Sequence, residues 1–507
     1  VSEAKQHNLA LSPEDCQLLL DALLTLASLQ ERIGSKNVTI HKLRKLVGMV
    51  QSSERLSTVL GQTRPKKHQR SPKAKPSREK SNIKPKVINH SLTEQRKGDA
   101  CPKCNLGKLY KYQPATLLRI SGQSPYLPEQ HVMERLRCNA CGAYFTATLP
   151  EDVLNDGEPQ QKYGYSARSL MGISKYYGGM PFYRQGRVQD LLGVSISAST
   201  IFDQNEYLTN AIYPVFKQLR QLGGNGKHYY QDDTTNRILD KKPELRKARN
   251  SNKETLRTGV YTSGLIVTTE CGHDIVLFNT GIGHAGEFID ELFKHRDPAK
   301  PPPLIMSDAL ASNRPSRVDS LSALCNSHGR RQFYDIYEQF PDEVEHVLMR
   351  YQQIWAFDDE TEKLSEQERL AYHQQHSLPI MEEIKGWCSE HLSNETVEEN
   401  SALGKAMNYF LKHYQGLSTF CRVKGAKLDN NRIEAKLKLV VRNRKNAMFH
   451  KTQTGADIGD VITSLIATAE EAGINVFDYF NLLQQEHDAV ASTPEKYLPW
   501  NYQKSQA

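Results

Sequence analysis

The sequence predicts an α/β protein of several domains, and three observations support this class. The 507 residues are enough for roughly three domains of ~150 residues each. Strand-like segments rich in aromatic and β-branched residues begin near residue 227, whereas segments with helical spacing of leucine precede and follow them. Two Cys-x-x-Cys pairs lie in front of these strands, so we expect a small metal-binding module in addition to the α/β core.

Composition indicates a soluble globular protein. Hydrophobic residues make up 38% of the chain and charged residues 24%, as in ordinary globular domains. No apolar run approaches the ~20 residues that a membrane-spanning helix needs, and the first residues lack the basic-then-apolar order of a secretory signal. Nine cysteines are too few for a disulfide framework in so long a chain, so we expect a cytoplasmic protein without a membrane partner.

The N-terminal part is predicted to contain a helical region, 1–62, and a basic flexible linker, 63–98. Leucines recur at helical spacing over 12–32, a pattern that is compatible with dimerisation. Between Thr63 and Lys86 ten Lys and Arg face one acid, which gives this stretch +9, whereas the whole chain carries +8. The linker is either a solvated spacer or a strap that binds DNA through its charge.

Residues 99–150 are predicted to form a zinc-binding module. Each Cys-x-x-Cys pair can hold one ion through a tight turn, and two pairs complete a tetrahedral site of four thiolates. The alternative is four unpaired cysteines without a metal. A structural Zn2+ would indicate little about function, since such modules bind DNA, RNA and proteins. The predicted ligands are Cys101, Cys104, Cys138 and Cys141.

Residues 151–222 are predicted to be helical, with the order of a helix-turn-helix. One helix ends at a turn around Gly193, and Ser195 or Ser197 is the expected N-cap of the next helix. This order predicts a DNA-binding region. An αα-hairpin that belongs to the protein core would have the same sequence pattern.

Residues 223–450 are predicted to form the α/β core. Three strands, KHYYQDDTTNRIL, TGVYTSGLIVTTE and HDIVLFNTG, are followed by the helix AGEFIDELFKHR and a short buried strand, PPPLIMSDAL. The second and third strands should form an antiparallel pair. This order is that of a ribonuclease-H-like core, with a helical insertion at about 333–420. Residues 451–507 are predicted to form a C-terminal helical tail.

Three acids occupy positions where such a core could bring them together. Asp232 lies in the first strand, Asp308 at the end of the fourth, and Glu434 near the start of a later helix. Phosphodiester chemistry uses two divalent cations about 4 Å apart, and Mg2+ prefers a few carboxylates with water and phosphate oxygens. Strand alternation places the neighbouring Asp233 on the opposite face of the sheet. Each acid taken alone would more often be an ordinary surface residue.

The helix that carries Glu434 also carries several basic residues. Lys438, Arg442 and Lys445 share its side of the helix, because they follow it by four, eight and eleven positions. They could hold DNA phosphates. The spacing of Glu434 and Lys438 is also that of an ordinary helical ion pair, which is worth only ~0.3–0.5 kcal/mol.

The segments around the three acids resemble the DDE transposases of the bacterial insertion-sequence family numbered sixty-six, the TnpC-like proteins. QDDTTNRIL is similar to the family's first acidic motif, and LIMSDALASN to its second. LCNSHGRRQFYDI resembles the family's Cys-x-x-His segment with paired arginines, and LDNNRIEAKLKLVVRNRKNAMFH resembles its glutamate motif. The resemblance runs from about 39 to 485, and departures at Thr235, Ala309 and Leu310 leave the acids in place.

This resemblance implies a DNA transposase that binds double-stranded DNA at the element ends and at the target. It implies a homo-oligomer, sometimes assisted by accessory transposition proteins, near the bacterial nucleoid. Asp232, Asp308 and Glu434 would bind two Mg2+, or Mn2+, and carry catalysis. Residues expected to contact DNA are Lys438, Arg442, Arg444, Lys445, Arg330 and Arg331, and residues expected to support the site are Asp233, Cys325, His328, Asn430 and Asn431.

Two of these assignments have simpler alternatives. Arg330 and Arg331 could form a solvated helix face rather than a phosphate contact. Cys325 and His328 provide only two ligands, so a structural or positioning role is favoured over metal binding.

Other functions compete with transposition. A non-catalytic, zinc-containing DNA-binding regulator would explain the basic linker and the cysteines, but not three acids in strand, strand and helix. A stand-alone ribonuclease-H-like nuclease would explain the acids, but not the long N-terminal part. An inactivated transposase copy would retain all of these features without the activity.

Overall fold

The computed structural model describes residues 96–506, apart from residues 101, 105, 107, 111–123, 138, 140, 142, 159 and 248–253. The predicted helical region 1–62 and the basic linker up to residue 95 lie outside the described residues, as do Cys101 and Cys138. The described part of the chain falls into two units, residues 96–110 and the residues from Ser124 onwards.

Antiparallel segments flank the described cysteine of each Cys-x-x-Cys pair, Cys104 and Cys141. In the smaller unit, an isolated antiparallel bridge joins Ala100 to Lys108, on either side of the first pair. In the larger unit, strand β1 (Arg135–Arg137) pairs antiparallel with β2 (Tyr144–Thr146), and Cys141 lies in the segment between them. Cys104 and Cys141, the described cysteines of the two pairs, each lie in a turn.

The larger unit contains a five-stranded mixed sheet and a separate two-stranded hairpin. In chain order the strands are β3 (His228–Asn236), β4 (Glu244–Lys247), β5 (Glu254–Arg257), β6 (Val260–Thr268), β7 (Asp274–Gly281), β8 (Leu304–Ser307) and β9 (Leu321–Leu324). The order of the large sheet is β7-β6-β3-β8-β9, and only β6 runs antiparallel to the other strands. The predicted mixed α/β class is confirmed, and so is the antiparallel pair, as β6 and β7.

The helices surround this sheet in two groups. Before it lie α1 (Glu151–Asn155), α2 (Tyr165–Tyr176), α3 (Phe182–Leu191) and α4 (Ala198–Gly224). After β7 follow α5 (Ala285–Leu292), α6 (Asn326–Tyr334), α7 (Pro341–Glu360), α8 (Glu366–Ser393), α9 (Ala402–Leu417), α10 (Asn431–Ala447), α11 (Gln453–Glu471), α12 (Val476–Gln485), α13 (His487–Ser492) and α14 (Pro499–Gln506). The segment predicted as a helical insertion, about 333–420, contains α7, α8 and α9.

The helix-turn-helix order is present as α3 and α4. Ser197 caps α4 by accepting the N–H of Thr200 at 3.1 Å, which confirms one of the two predicted caps. Gly193, in the turn, has φ +84°, a conformation that glycine adopts without a steric penalty. Exposed residues in the first turns of α4 include Asp203 and Glu206, whose charges repel phosphate. The buried face of α4 packs in the main core, as it would in a core αα-hairpin, and DNA binding by this region stays a prediction.

Helix α11 covers an edge strand of the sheet. Strand β7 ends the sheet on one side, and three of its backbone N–H groups donate to side chains of α11. Residues four apart on a helix are separated by ~6 Å along its axis, and residues two apart on a strand by ~6.7 Å. Acceptors at every fourth residue of α11 can therefore meet the N–H groups of alternate residues of β7. The donor and acceptor pairs are Val276 with Thr468 at 3.0 Å, Phe278 with Ser464 at 2.9 Å, and Thr280 with Asp460 at 2.5 Å.

The C-terminal helices contribute to the main hydrophobic core. Ile462, Leu465 and Phe480 are fully buried in the same cluster as Leu265 and Leu277 of the sheet. The segment 451–507, predicted as a helical tail, therefore packs as part of the larger unit. No helix in the described part of the chain is long and apolar enough to cross a membrane.

Candidate active site

Asp232 lies on β3, and Asp308 directly follows the neighbouring parallel strand β8. Asp232 is near the middle of β3, and β3 pairs in parallel with β8 up to the pair Tyr230 and Met306. Continuing this register by two residues brings Asp232 beside Asp308, which follows the last residue of β8. Adjacent parallel strands lie about 4.8 Å apart, so the sheet itself holds these two acids close together.

Glu434 reaches the same place because α10 packs directly on the sheet. The residue paired with Asp232 on β6 is Gly264. A Cβ at Gly264 would lie 3.0 Å from Leu437 and 3.1 Å from Ile433 of α10, so the missing side chain admits the helix. Glu434 lies in the first turn of α10, between these two contacts in sequence.

Buried amides connect the three elements that carry the acids. Asn313 donates from Nδ2 to Oδ1 of Asp308 at 2.8 Å, and the carbonyl of Asn313 accepts from the Gln231 side chain. Asn430 donates from Nδ2 to the carbonyl of Gln231 at 2.8 Å. Gln231 and Asn430 are fully buried and Asn313 nearly so, so the network fixes the loop after β8 and the start of α10 to β3.

Asn430 occupies the N-cap position of α10, but its side chain does not cap the helix. Asp429, the preceding residue, accepts the N–H of Asn431 at 3.1 Å and its Nδ2 at 2.6 Å. Asn431 therefore orders the residue before the helix and is itself exposed. Asn430 was expected to support the site, whereas Gln231 and Asn313 were not. The available signal was an amide in an otherwise aromatic, buried strand, HYYQDD.

The charges of the three acids interact. Burial raises the pKa of Asp232 to about 7, and the negative charges of Asp308 and Glu434 add to this effect, although the backbone N–H of Asp233 opposes it. Asp232 accepts that N–H on Oδ1 at 2.8 Å, and Asp308 accepts its donors on Oδ1. Neither the second oxygen of these residues nor the carboxylate of Glu434 has a hydrogen-bond donor among the described residues. The cluster is therefore rich in uncompensated negative charge.

Asp233 points away from this cluster and is fully engaged. Its Oδ1 accepts the hydroxyl of Ser263 at 2.6 Å, and its Oδ2 contacts Nδ1 of His284 at 3.0 Å and the N–H of Ala285 at 3.1 Å. His284 is the N-cap residue of α5. The alternation predicted for the two neighbouring aspartates is thus observed, and Asp233 anchors α5 on the far face of the sheet.

Cys325 and His328 lie next to Glu434. Ligand atoms of these three residues are all within 4.8 Å of one another, and Nδ1 of His328 lies 3.9 Å from Oε1 of Glu434. Cys325 is buried, accepts the N–H of Asn430 on Sγ at 3.3 Å, and burial raises the pKa of its thiol to about 11. A protonated thiol that holds the start of α10 fits the structural role favoured from the sequence.

The basic residues of α10 fall into two classes. Lys438 and Lys445 are exposed and have no ion-pair partner in the described part of the chain, so the ordinary pair of Glu434 with Lys438 is not formed. Arg442 donates to the carbonyl of Tyr177 and lies over its ring at 5.5 Å. Arg444 donates to Oγ1 of Thr235 at 2.7 Å. The two arginines therefore also fasten α10 to neighbouring elements.

Arg330 and Arg331 lie on α6, half-buried rather than fully solvated. The guanidinium of Arg330 lies 5.8 Å from the ring centres of both Tyr334 and Trp355. The alternative interpretation from the sequence was a solvated helix face. An arginine held over aromatic rings is less mobile than an arginine on such a face.

Known proteins resemble this chain over most of its length. A family model described as Transposase IS66 family matches residues 162–458, which is more than half of the chain. The uncharacterized protein y4hP of Sinorhizobium fredii (strain NBRC 101917 / NGR234) is 24% identical over 431 residues, 80% of this chain and 73% of its own. From the same organism, y4jD is 29% identical over 189 residues, 36% of each chain, and y4qI is 22% identical over 374 residues, 70% of this chain and 65% of its own.

Proposed function

Because the chain belongs to the IS66 family of transposases, we propose that it is a DNA transposase that binds the ends of an insertion sequence and catalyses metal-dependent cleavage and strand transfer. The observation that carries this proposal is the approach of Asp232, Asp308 and Glu434, because the charges of Asp308 and Glu434 add to the effect of burial on the pKa of Asp232. Three acids from a strand, a strand end and a helix provide converging oxygen ligands on rigid elements.

The strand order supports a ribonuclease-H-like core as the frame of this site. A central strand carries the first acid, its parallel neighbour ends at the second, and one antiparallel strand lies on the other side. The third acid comes from a helix after the helical insertion. This is the arrangement expected from the sequence for the catalytic core, 223–450.

The acid cluster suits two Mg2+ ions, or Mn2+ in their place. Asp232 and Asp308 each retain one carboxylate oxygen, and Glu434 both oxygens, without a donor among the described residues. A bound cation would also relieve the repulsion that contributes to the raised pKa of Asp232. Divalent ions at such a site activate the attacking oxygen and stabilise the leaving oxygen of a phosphodiester.

The residues of the chain would position the reacting groups. Water first attacks the phosphorus at the element end, the P–O3′ bond breaks, and a 3′-hydroxyl is released. That hydroxyl then attacks a target phosphodiester and displaces the target's own 3′-oxygen, so one phosphodiester replaces another. The buried amides hold the acids in place, and Lys438 and Lys445 extend from the same helix toward DNA phosphates, where positioning and charge stabilisation supply most of the catalysis.

The cysteine module is proposed to hold one structural Zn2+. The spacing of the two Cys-x-x-Cys pairs supports this proposal, and the four thiolates would come from Cys101, Cys104, Cys138 and Cys141. We expect about one zinc ion per chain by metal analysis, with loss of end-specific DNA binding on chelation. Purified full-length protein without zinc would contradict this assignment.

The remaining parts of the proposal concern assembly. Transposition joins two element ends, so we infer a homo-oligomer on double-stranded DNA, with residues 12–32 as a candidate contact and accessory transposition proteins as further partners. The bacterial cytoplasm, close to the nucleoid, is the proposed location. A non-catalytic DNA-binding regulator or an inactivated copy is the alternative, since either would bind DNA without processing it.

One substitution separates these alternatives. Asp308→Asn removes a proposed metal ligand but keeps the size of the side chain and an oxygen for Asn313. We expect Mg2+-dependent cleavage and strand transfer of element-end DNA to disappear, whereas DNA binding persists. Unchanged processing by the variant would refute the active site, and absence of processing by the parent protein would favour the regulator or the inactivated copy.

A further inference from the structure

A second basic surface lies on the helical insertion, away from α10. Residues 400–428, which include all of α9, contain no Asp or Glu. The neighbouring helix α8 contrasts with this, since it carries several glutamates along its length. The Lys and Arg residues of the acid-free segment are Lys405, Lys412, Arg422, Lys424 and Lys427.

Part of this segment forms an open groove with the edge strand β9. The groove has a volume of about 520 Å3 and is lined by β9, the end of α9 and the residues that follow it. Thr419 donates from Oγ1 to the carbonyl of Ser322 at 2.9 Å, which fixes the helix end to the strand. None of the lining residues is acidic, and its basic members are Arg314, Lys412, His413 and Arg422.

The basic side chains of the groove lie close enough together for their charges to interact. Burial lowers the pKa of His413, and the charges of Lys412 and Arg314 lower it further. Lys412 is exposed and has no hydrogen-bond or ion-pair partner among the residues that the structure describes. Lys412 and Arg422 therefore bring positive charge to a groove that has no acidic lining residue, and such a surface attracts polyanions.

The groove is connected to the acid cluster through the loop after β8. Asn313 donates to Asp308 at 2.8 Å, and the next residue, Arg314, lines the groove. Strand β9 also pairs in parallel with β8, which leads directly into Asp308. A phosphate backbone that enters the groove would thus lie next to the strand that carries the second acid.

We propose that this groove, lined by Lys412, His413, Arg422 and Arg314, binds the backbone of the DNA duplex beside the reacting phosphate. The proposal rests on the transposase function proposed above, and it assigns DNA contact to the helical insertion in addition to α10. Because the groove offers charged side chains to phosphates rather than a pattern of donors for base edges, it should bind duplexes of any sequence.

Salt-dependent binding tests the groove directly. The probe is a fluorescein-labelled 30-base-pair duplex, used without divalent metal, once with random sequence and once with the element's terminal sequence. Loss of two phosphate contacts in Lys412→Gln/Arg422→Gln should reduce the slope of log K against log salt by about 1.8, and lower affinity by at least ~10-fold at low salt. The loss should be the same with both duplexes, and a loss confined to one of them would overturn the assignment of a sequence-independent backbone contact.

Two further variants guard against misfolding and a general charge effect. Arg422 donates to the carbonyl of Ser418 at 3.4 Å, so Lys412→Glu, at an exposed position without a partner, provides a second test that leaves the fold intact. The matched control is Lys294→Gln/Lys300→Gln, which removes the same charge before β8, at the other end of that strand from Asp308. The control should keep the parent slope.

The outcomes separate this inference from the proposed function. If the groove variants bind with the parent slope while Asp308→Asn abolishes processing, the groove assignment is wrong and the transposase stands. If the groove variants lose binding but the parent protein processes no DNA, the groove stands as a DNA-binding surface and the catalytic proposal falls.

Discussion

Asp232 and Asp233 are consecutive residues of one strand, yet the structure treats their charges in opposite ways. Asp233 contacts a hydroxyl, an imidazole and a backbone N–H. Among the described residues, Asp232 accepts a hydrogen bond only from the N–H of its neighbour, and it lies close to two more acids. The carboxylate of Asp233 is therefore compensated by three donors, whereas that of Asp232 has one backbone donor and two acidic neighbours.

The neighbouring strand produces this difference. In the antiparallel register, Asp233 is paired with Ser263 and Asp232 with Gly264. Serine supplies a donor to its partner, whereas glycine supplies none and admits α10 with its own acid. This contrast distinguishes a structural acid from a candidate metal ligand. A structural acid has hydrogen-bond donors on its own face of the sheet, whereas a candidate metal ligand faces other acids.

The largest effect should come from Asp232→Asn. We expect more than ~100-fold loss of Mg2+-dependent DNA processing, because loss of even an outer partner of a metal ligand costs ~10–100-fold. Thermal unfolding in EDTA should show equal or greater stability than the parent, since one of three repelling charges is removed. A marked loss of stability would mean that Asp232 is a structural acid like Asp233.

Asp460, on α11, extends the comparison of Asp232 with Asp233, because both of its hydrogen-bond donors are neutral groups. It accepts the N–H and the hydroxyl of Thr280, yet burial raises its pKa to about 7. Because the pKa of Asp460 is higher in the folded than in the unfolded state, its contribution to the free energy of unfolding is greatest below pH ~4. That contribution falls as the pH rises toward 7, by up to about 4 kcal/mol.

The Asp460 effect can be measured by chemical denaturation between pH 4 and 7. Asp460→Asn should flatten the decline relative to the parent, whereas Asp457→Asn, at an exposed position of the same helix, should reduce it only slightly, because the charge of Asp457 is a minor cause of the raised pKa. An equal decline in all three proteins would show that the two Thr280 donors alone are sufficient to stabilise the ionised carboxylate.

The smallest effect is expected for Asp233→Asn. The amide cannot accept on both sides, so at least one donor among Ser263, His284 and Ala285 loses a charged acceptor, at a cost of about 1–3 kcal/mol. Denaturant unfolding in EDTA measures this loss, and Asp232→Asn is the matched control on the same strand. A variant as stable as the parent would mean that Asp233 does not anchor α5.

Much of the frame was predictable because its signals are local. The strand before Asp308, the antiparallel pair β6 and β7, and the Ser197 cap follow from alternation and capping preferences. Strand β9 was not predicted, because four residues, LSAL, are too short for a periodic signal and gain their place only from pairing with β8. The hairpin of β4 and β5 is rich in charged residues and has no apolar alternation.

The candidate site was predictable in its acids but not in what surrounds them. Asp232, Asp308 and Glu434 were identified by motif, and their roles remain proposals. The partners of Gln231 and Asn313 depend on contacts across about eighty residues of sequence, which a single sequence does not encode in any local pattern. Arg442 and Arg444 illustrate the same limit, because their carbonyl and hydroxyl partners come from distant segments.

The three side-chain acceptors that α11 presents to β7 have a consequence for assembly. They occupy three backbone donors of the edge strand through which a foreign strand would otherwise add to the sheet. Copies of the protein at high local concentration are thus prevented from joining their sheets along this side unless α11 is first displaced. Aggregation by strand addition, a hazard for any chain concentrated on a shared template, is blocked there by a helix.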